Sequence, residues 1–397
     1  MTHASAFAPP PPAVTQPDTG GISRRRLATA PVTALGLFAA VRLAGAAVLA
    51  LTAWGHGGHP LTLLGRSWDS RWYLGIAAHG YGHAYHYRPG IIHNDLAFFP
   101  LYPMLIRAVT TVTPLSGAGA GLLVSWTAAA VAACGIHAVG TRLYARAVGT
   151  ALVVLWALWP HSVVLSMAYT EPVLTAFAAW SLYAVLTRRW LWAGALAALA
   201  GASRPNGFAV AAAVLAVAAT EIWRGRGRVT HRLWTGAALA PLGWGAYVLW
   251  VGRREGDPLG GYFTVQRLWG STFDLGRGSL RFVEHLLLHG DRFVFPVTLA
   301  IVALAVVLYA LLLVDRAPLP LLVYTGVLLL IALGGSGFFE SKPRFLLPAF
   351  PLLIPPARAL VRTARARPWH ATVVVTALAG LSSLYGAYLV VLARTPL

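Results

Sequence analysis

The sequence predicts an all-α integral membrane protein with about eleven transmembrane helices. Hydrophobic residues make up 57% of the 397 residues, charged residues only 11%, and the mean hydropathy is +0.66. Soluble domains are about 45–50% apolar and about 25% charged, so this composition excludes a water-soluble globule. The apolar residues also form stretches of about 20, the length that an α-helix needs to cross a bilayer.

The N-terminal tail, residues 1–30, is rich in Pro and Ala and is expected to be disordered. Residues 31–397 are expected to form one transmembrane domain. Its first span, 31–54, is longer than the apolar region of a signal peptide, about 7–15 residues, so we expect it to be retained. Further spans are predicted at 118–140, 149–168, 172–187, 190–203, 206–222, 233–252, 293–314, 318–334, 345–361 and 371–392.

The distribution of charge orients these spans. Arginines precede the first span at 24–26 and recur in short loops that fall on the same side, near 142–146, 188–189, 224–232 and 358–367. The positive-inside rule makes this side, with the N-terminus, cytoplasmic. Most of the 12 acidic residues fall on the opposite side. The net charge of +19 therefore reflects topology and contact with anionic lipid, and we exclude nucleic-acid binding.

Among the 31 basic residues Lys342 is the single lysine, and such a preference for arginine is typical of a high-GC, actinobacterial genome. We therefore expect the protein to lie in a bacterial cell membrane. Two long segments, 55–117 and 253–292, are predicted to be outer loops, and loops of this length are usually functional. The spacing of Trp68, Trp72 and Ile76 predicts an amphipathic helix at the membrane interface. Leu280, Val283 and Leu287 predict a second one in the later loop.

Asp69 is the first candidate catalytic residue. It lies between Trp68 and Trp72 and shares a neighbouring helix face with Tyr73. A carboxylate among aromatic side chains at a membrane surface is partly desolvated, which suits a general base. The alternative interpretation is an anchor helix that carries one solvated carboxylate.

The chain resembles the PIG-V family of membrane mannosyltransferases in an ordered set of motifs between about residues 30 and 392. These motifs are Trp68-Asp69-Ser70-Arg71-Trp72-Tyr73, Gly80-Tyr81, Ala97-Phe98-Phe99-Pro100-Leu101-Tyr102-Pro103, Ala168-Tyr169-Thr170-Glu171-Pro172, Ser203-Arg204-Pro205-Asn206-Gly207 and Pro343-Arg344-Phe345-Leu346-Leu347-Pro348. One departure concerns Asp95, which stands near the position where family members often carry a Glu.

The resemblance implies a GT-C-type glycosyltransferase whose active site faces away from the cytosol. It implies a polyprenyl-phosphate mannose donor, and it maps the catalytic acid onto Asp69. The family's eukaryotic namesake acts on glycosylphosphatidylinositol precursors, and that acceptor is not carried over. A glycolipid or cell-envelope glycan is expected instead.

Other polar residues are candidates for contacts with the donor phosphate or the sugars. Arg204, Lys342 and Arg344 are expected to neutralise the lipid phosphate, because Arg and Lys stabilise developing negative charge; the alternative is contact with lipid headgroups. Glu171, next to Pro172, either caps a helix or binds sugar hydroxyls. The candidate sugar or acceptor ligands are Tyr73, Asp95, Glu171 and Glu340.

Arg42 lies in the middle of the first span, where a structural pair and a contact with the donor are both compatible with the sequence. No cofactor or metal is expected. Cys134 is the sole cysteine, and the histidines of the first outer loop, His79, His83, His86 and His93, lack metal-ligand spacing. The absence of nucleotide-binding motifs agrees with a lipid-linked donor.

The leading hypothesis is thus an inverting mannosyltransferase in which Asp69 deprotonates the acceptor hydroxyl. A transporter or lipid flippase is the alternative, because transporters also show broken helices and charges within the membrane. A non-catalytic partner of another glycosyltransferase is a third possibility.

Overall fold

The structure, a computed structural model, describes residues 24–88 and 90–395. Of the predicted tail, residues 1–23 lie outside the described residues. The helices of the described part are α1 (Arg24–Gly55), α2 (Pro60–Arg66), α3 (Asp69–His79), α4 (Leu101–Val112), α5 (Gly117–Leu143), α6 (Arg146–Ala157), α7 (Glu171–Leu186), α8 (Trp190–Ser203), α9 (Phe208–Arg224), α10 (His231–Leu239), α11 (Leu242–Arg254), α12 (Gly261–Leu268), α13 (Arg277–His289), α14 (Val294–Val314), α15 (Leu319–Gly334), α16 (Lys342–Phe345), α17 (Ile354–Ala366) and α18 (Pro368–Ala387).

The predicted class, a helical multi-span membrane protein, is confirmed. Within the described residues five helical segments are long and apolar enough to cross a membrane: Val32–Gly55, Gly117–Leu143, Pro205–Arg224, Val294–Val314 and Pro368–Ala393. The pair Phe339–Phe345 and Phe350–Ala366, bent by 75°, counts as a sixth if it forms one span. Helices α4, α6, α7, α8 and α15 are apolar but shorter. The total of eleven spans stays a prediction.

Three of the predicted helices are interrupted, and the one expected at 345–361 is α-helical only from Ile354, after the bend that follows α16. The span expected at 149–168 ends at Ala157, and a buried irregular segment with a 3-10 turn at Ser162–Ser166 follows it. Pro160 lies in this segment, and proline cannot donate the backbone hydrogen bond that would continue a helix. The span expected at 233–252 is divided near Pro241 into α10 and α11 for the same reason.

Small residues allow the helices to approach closely, as is typical of packing in membranes. Gly194 of α8 faces Gly236 of α10 so tightly that a Cβ at either position would overlap the opposing backbone. Helix α7 packs against α5 and α8 in the centre of the structure. The predicted break between α8 and α9 is present as a 3-10 turn at Pro205–Gly207.

The first outer loop contains α2, α3, α4 and a hairpin of β1 (Ala84–Arg88) and β2 (Ile91–Asn94), in which Tyr85 pairs with His93. The predicted helix at 68–76 corresponds to α3. The second loop contains α12 and the helix predicted around Leu280, α13. Strand β3 (Thr272–Phe273) pairs with β4 (Gly335–Ser336) and so connects this loop to the end of α15.

Candidate active site

Asp69 begins α3, and its carboxylate is partly accessible, with 21% of the side chain exposed. The preceding residue, Trp68, has a φ of 46°. A positive φ is uncommon for a residue with a Cβ, and such strained positions concentrate at functional sites. The strain at Trp68 lies directly before the candidate catalytic residue.

Arg344 connects Asp69 to Glu171. Its Nη1 donates a hydrogen bond to Asp69 Oδ2 at 2.8 Å, and its Nε lies 3.3 Å from Glu171 Oε1. Arg344 comes from the short helix α16 and is buried, with its guanidinium 5.4 Å from the ring centres of Tyr169 and Phe345. One guanidinium thus holds two carboxylates that are far apart in the chain.

Arg204 pairs with the same Glu171 oxygen and also donates a hydrogen bond to Thr170 Oγ1 at 3.1 Å. It lies at the predicted break between α8 and α9, where the backbone is extended. Arg204 follows the last residue of α8 and precedes the 3-10 turn that leads into α9. From this position its side chain reaches the first turn of α7. Glu171 is 1% exposed, and a carboxylate at the N-terminus of α7 also suits the helix dipole.

Two arginines and two carboxylates form this charged cluster, which we define as Asp69, Glu171, Arg204 and Arg344. Formally their charges cancel, which is the usual condition for burying charges. Three polar atoms of the cluster, Glu171 Oε2, Arg204 Nε and Arg344 Nε, are nevertheless buried without a hydrogen-bond partner among the described residues. The cluster therefore has spare capacity to accept from, and donate to, a hydroxylated or phosphorylated ligand.

Tyr73 lies one turn after Asp69 on α3 and contacts the cluster through Thr170, with 3.4 Å between the two hydroxyl oxygens. It packs edge-on against Phe98 and Tyr102 at centroid distances of 5.0 and 5.1 Å. Burial raises the pKa of Tyr73 to about 12, against the opposing effect of Arg204. The phenol therefore stays protonated at neutral pH and can donate a hydrogen bond.

Asp95, Lys342 and Glu340 are not joined to the cluster by any ion pair that the structure shows within residues 24–88 and 90–395. The Asp95 carboxylate accepts hydrogen bonds from the backbone N–H groups of Gly82 and His83, each at 2.8 Å. It holds the turn that precedes the β1–β2 hairpin.

Lys342 donates to the carbonyl oxygens of Ala332 and Gly335, the latter at 2.8 Å, and so closes the C-terminal end of α15. Glu340 is half-buried in the adjacent 3-10 turn, near enough to Arg344 for their charges to interact.

Comparison with solved structures identifies the fold. The chain is similar to the Archaeoglobus fulgidus oligosaccharyltransferase in complex with Zn and sulfate, with a TM-score of 0.50 and 14% sequence identity. The match covers 89% of this chain and 53% of that one. The chain has a GT-C-like fold. The predicted GT-C-like architecture is therefore confirmed, while the chain spans about half the length of the archaeal enzyme.

The same archaeal enzyme in its apo form gives a TM-score of 0.49 at 13% identity, covering 91% of this chain and 56% of that one. No protein-family model matches the chain, and no curated protein matches it significantly in sequence. At 14% identity the likeness concerns the fold alone.

Sequence reasoning missed Thr170 and the surroundings of Arg42. Thr170 receives hydrogen bonds or contacts from both Arg204 and Tyr73, and the signal that could have found it is its place beside Glu171. Within residues 24–88 and 90–395, Arg42 forms no ion pair with a carboxylate and no hydrogen bond with the charged cluster. It donates to Ser162 at 2.6 Å, to Ser166 at 2.9 Å and to the Ala157 carbonyl at 3.0 Å.

Arg42 therefore anchors the irregular segment between α6 and α7, the segment that ends at Thr170 and Glu171.

With respect to metals, no three His, Cys, Asp or Glu side chains of the described ranges lie close enough together to hold an ion. The site that the structure assembles is a charged cluster with one accessible carboxylate.

Proposed function

We propose that the chain is a GT-C mannosyltransferase of the PIG-V type that uses polyprenyl-phosphate mannose. It transfers the sugar to a glycolipid or cell-envelope glycan on the extracytoplasmic face of the membrane. The observation that carries the proposal is the accessible carboxylate of Asp69, which lies against a buried cluster of two arginines and a second carboxylate. This arrangement places a candidate base beside groups that can neutralise a phosphate.

In the proposed reaction, Asp69 accepts the proton of the acceptor hydroxyl as the hydroxyl oxygen attacks the anomeric carbon. The bond between this carbon and the phosphate oxygen breaks, and the lipid phosphate leaves with the electron pair. Direct displacement inverts the anomeric centre, so a β-linked donor gives an α-linked product. A well-placed general base contributes about 10²- to 10⁴-fold to such a step.

The leaving phosphate is assigned to Arg344 and Arg204. Arg344 donates a hydrogen bond to Asp69, so a donor phosphate would compete with this carboxylate for the guanidinium. Such competition would release Asp69 when the donor is bound and leave it free to act as the base. The planar guanidinium suits both partners, because it forms parallel hydrogen bonds with carboxylates and phosphates alike.

Lys342 has a secondary role in this proposal, since its ammonium group would first have to leave the Ala332 and Gly335 carbonyls. Among the proposed sugar ligands, Glu171 belongs to the cluster and Tyr73 borders it through Thr170, so both suit contacts with sugar hydroxyls. Asp95 would act by shaping the hairpin turn, and Glu340 through the electrostatic field around Arg344.

The lipid-linked donor and the glycan acceptor are supported by two observations. The fold is similar to that of an oligosaccharyltransferase, and the sequence has no P-loop or dinucleotide-binding motif. The bilayer is the third partner, and a cytoplasmic N-terminus with an outer active site agrees with the distribution of arginines.

The deciding experiment compares Asp69→Asn with the parent protein in membranes supplied with labelled polyprenyl-phosphate mannose. We expect transfer to fall by about 10²-fold or more, because the amide cannot accept the proton. Glu284→Gln is the matched control, since Glu284 is an exposed outer-loop carboxylate on α13. Undiminished transfer by Asp69→Asn would refute the assigned role.

A transporter or flippase is the second candidate, and the broken helix at Arg204 favours it. Purified protein in proteoliposomes separates the two functions. Movement of labelled lipid across the bilayer without sugar transfer would support the transporter and contradict the enzyme.

A further inference from the structure

Four aromatic side chains from both outer loops contact one another beside the charged cluster. We name them the aromatic platform: Trp72, Tyr85, His93 and Trp269. Trp72 of α3 stacks on Tyr85 of β1 with 5.5 Å between ring centroids, and it meets Trp269 edge-on at 5.3 Å. His93 of β2 stacks on Trp269 at 4.1 Å and meets Tyr85 at 5.3 Å. The platform thus joins α3, the hairpin and the end of α12.

The platform is continuous with the candidate active site. Trp72 follows Asp69 on α3 by three residues, which places the two side chains about one helical turn, ~5 Å, apart along the axis. Phe98 lies between Trp72 and Tyr73, with ring centroids 5.6 and 5.0 Å from theirs. Tyr73 in turn contacts Thr170, which accepts a hydrogen bond from Arg204 of the cluster. A ligand that reacts at Asp69 and extends outward would therefore reach the platform next.

The platform is open to solvent and carries fixed polar edges. Tyr85 is 49% exposed, and Trp72, His93 and Trp269 are partly exposed. The Tyr85 hydroxyl lies 3.1 Å from His93 Nδ1, and Trp269 Nε1 donates to the Asn94 carbonyl at 3.0 Å. These hydrogen bonds fix the orientation of the rings.

The composition of this surface differs from that of α13, the second helix that the sequence predicts at the membrane interface. On α13 the exposed side chains include Leu280, Leu287 and Leu288, which are 70–73% exposed. The exposed stretch at 82–87, by contrast, consists of glycine, alanine, histidines and tyrosines. Aliphatic side chains favour the hydrocarbon of a bilayer, whereas flat rings with polar edges favour a ligand that is itself half apolar and half polar.

A hexose ring has this character, because its C–H groups form an apolar face and its hydroxyls form a polar edge. The C–H face suits the negative face of an aromatic ring, and rigid Trp and Tyr side chains lose little conformational entropy when they bind. We propose that the aromatic platform binds a hexose unit of the acceptor, one sugar outward from the unit whose hydroxyl reacts. The inference rests on the proposed function and defines the acceptor as a saccharide of at least two units.

Binding is measured first without catalysis. Saturation-transfer NMR is recorded on the full chain in nanodiscs, with α-linked disaccharides of mannose, glucose and galactose as probes. In the Asp69→Asn background we expect a disaccharide to bind, and Tyr85→Leu to weaken its binding about tenfold, because leucine fills the space but removes the flat ring. Tyr85→Phe keeps the ring and should bind nearly as well as the parent.

Trp369→Ala is the control, because Trp369 is 79% exposed on α18, outside both outer loops. The proposal that the platform binds a hexose is refuted if no disaccharide binds. It is also refuted if Tyr85→Leu, with an unchanged thermal transition, binds like the parent. A loss of transfer by Tyr85→Leu with unaltered saccharide affinity would assign Tyr85 to anchoring the hairpin at the lipid surface, which overturns the proposal.

Kinetics separates this inference from the proposed function. In the transfer assay Tyr85→Leu should raise KM for the acceptor about tenfold and leave KM for the lipid-linked donor unchanged. If Asp69→Asn retains transfer while Tyr85→Leu still weakens saccharide binding, the catalytic assignment fails and the platform stands. If Asp69→Asn abolishes transfer while Tyr85→Leu binds normally, the platform alone fails.

Discussion

Arg344 Nη1 donates a hydrogen bond to Asp69 Oδ2 at 2.8 Å across 275 positions of the chain. The same guanidinium lies 3.3 Å from Glu171, so the candidate base and a buried carboxylate share one cation. The binding of a phosphate to Arg344 would therefore change the hydrogen bonding of Asp69. A phosphate that takes over Arg344 would release Asp69 at the moment when a base is needed.

Arg344→Lys tests this link. Lysine keeps the positive charge but lacks the planar guanidinium, which can form hydrogen bonds with both carboxylates or with a phosphate. We expect KM for the lipid-linked donor to rise and turnover to fall about 10- to 100-fold, measured by initial rates in nanodiscs. Arg358→Lys is the matched control, because Arg358 pairs with Asp315 in a bridge whose two side chains are each 37% exposed. Equal losses in both variants would contradict a specific role for Arg344.

Glu171→Gln tests the balance of charge. The substitution leaves Arg204 and Arg344 buried, with Asp69 as the one remaining carboxylate of the cluster, and Asp69 pairs with Arg344 and not with Arg204. Breaking a buried ion pair by removing one partner costs about 3–5 kcal/mol of stability. We expect a clearly lower midpoint of thermal unfolding in detergent. Arg204→Met combined with Glu171→Gln should recover part of this loss, and a single variant as stable as the parent would contradict the prediction.

The sequence predicted the membrane class, the GT-C-like fold and the break at Arg204, because these depend on local composition, on proline and on ordered motifs. It could not predict that Lys342 donates a hydrogen bond to a carbonyl at the end of α15, whereas Arg344, two residues later, donates one to Asp69. Which way each side chain of α16 points depends on how α15, α7 and α3 pack together. That packing is a property of the whole fold and leaves no local pattern in the sequence.

The same reason explains Arg42. Its place in the middle of a span predicts a partner but does not identify one, and the partners are the hydroxyls of Ser162 and Ser166 with the Ala157 carbonyl. These groups belong to a segment that hydropathy alone assigned to a regular helix. The irregular backbone there is compatible with the membrane because it is buried in protein.

Arg42→Met tests whether this anchor positions the site. Methionine fills a similar volume without donating hydrogen bonds, so the segment at 158–170 should become more mobile and Glu171 less well placed. We expect turnover to fall about tenfold with faster hydrogen exchange in this segment, and Arg42→Lys to restore part of both. Unchanged exchange at 158–170 would show that the segment is held by other contacts.

Gly207 lies in the 3-10 turn that follows Arg204 and packs against α8. Its φ is −62°, so the backbone conformation itself does not require glycine. The requirement is steric, because a Cβ at this position would overlap the carbonyl of Ala200 in the last turns of α8. Gly207→Ala should therefore push the turn at 205–207 away from α8 and draw the Arg204 guanidinium away from Glu171.

We expect Gly207→Ala to lower both the thermal midpoint and the rate of transfer, since the displaced Arg204 leaves Glu171 short of one partner. Gly245→Ala on α11 is the matched control, because nothing lies within 4 Å of a Cβ there. Within a helix that exchange is neutral or stabilising by up to about 1 kcal/mol. If both variants behave alike, close packing at Gly207 does not position Arg204, and the arginine reaches Glu171 by the freedom of its own side chain.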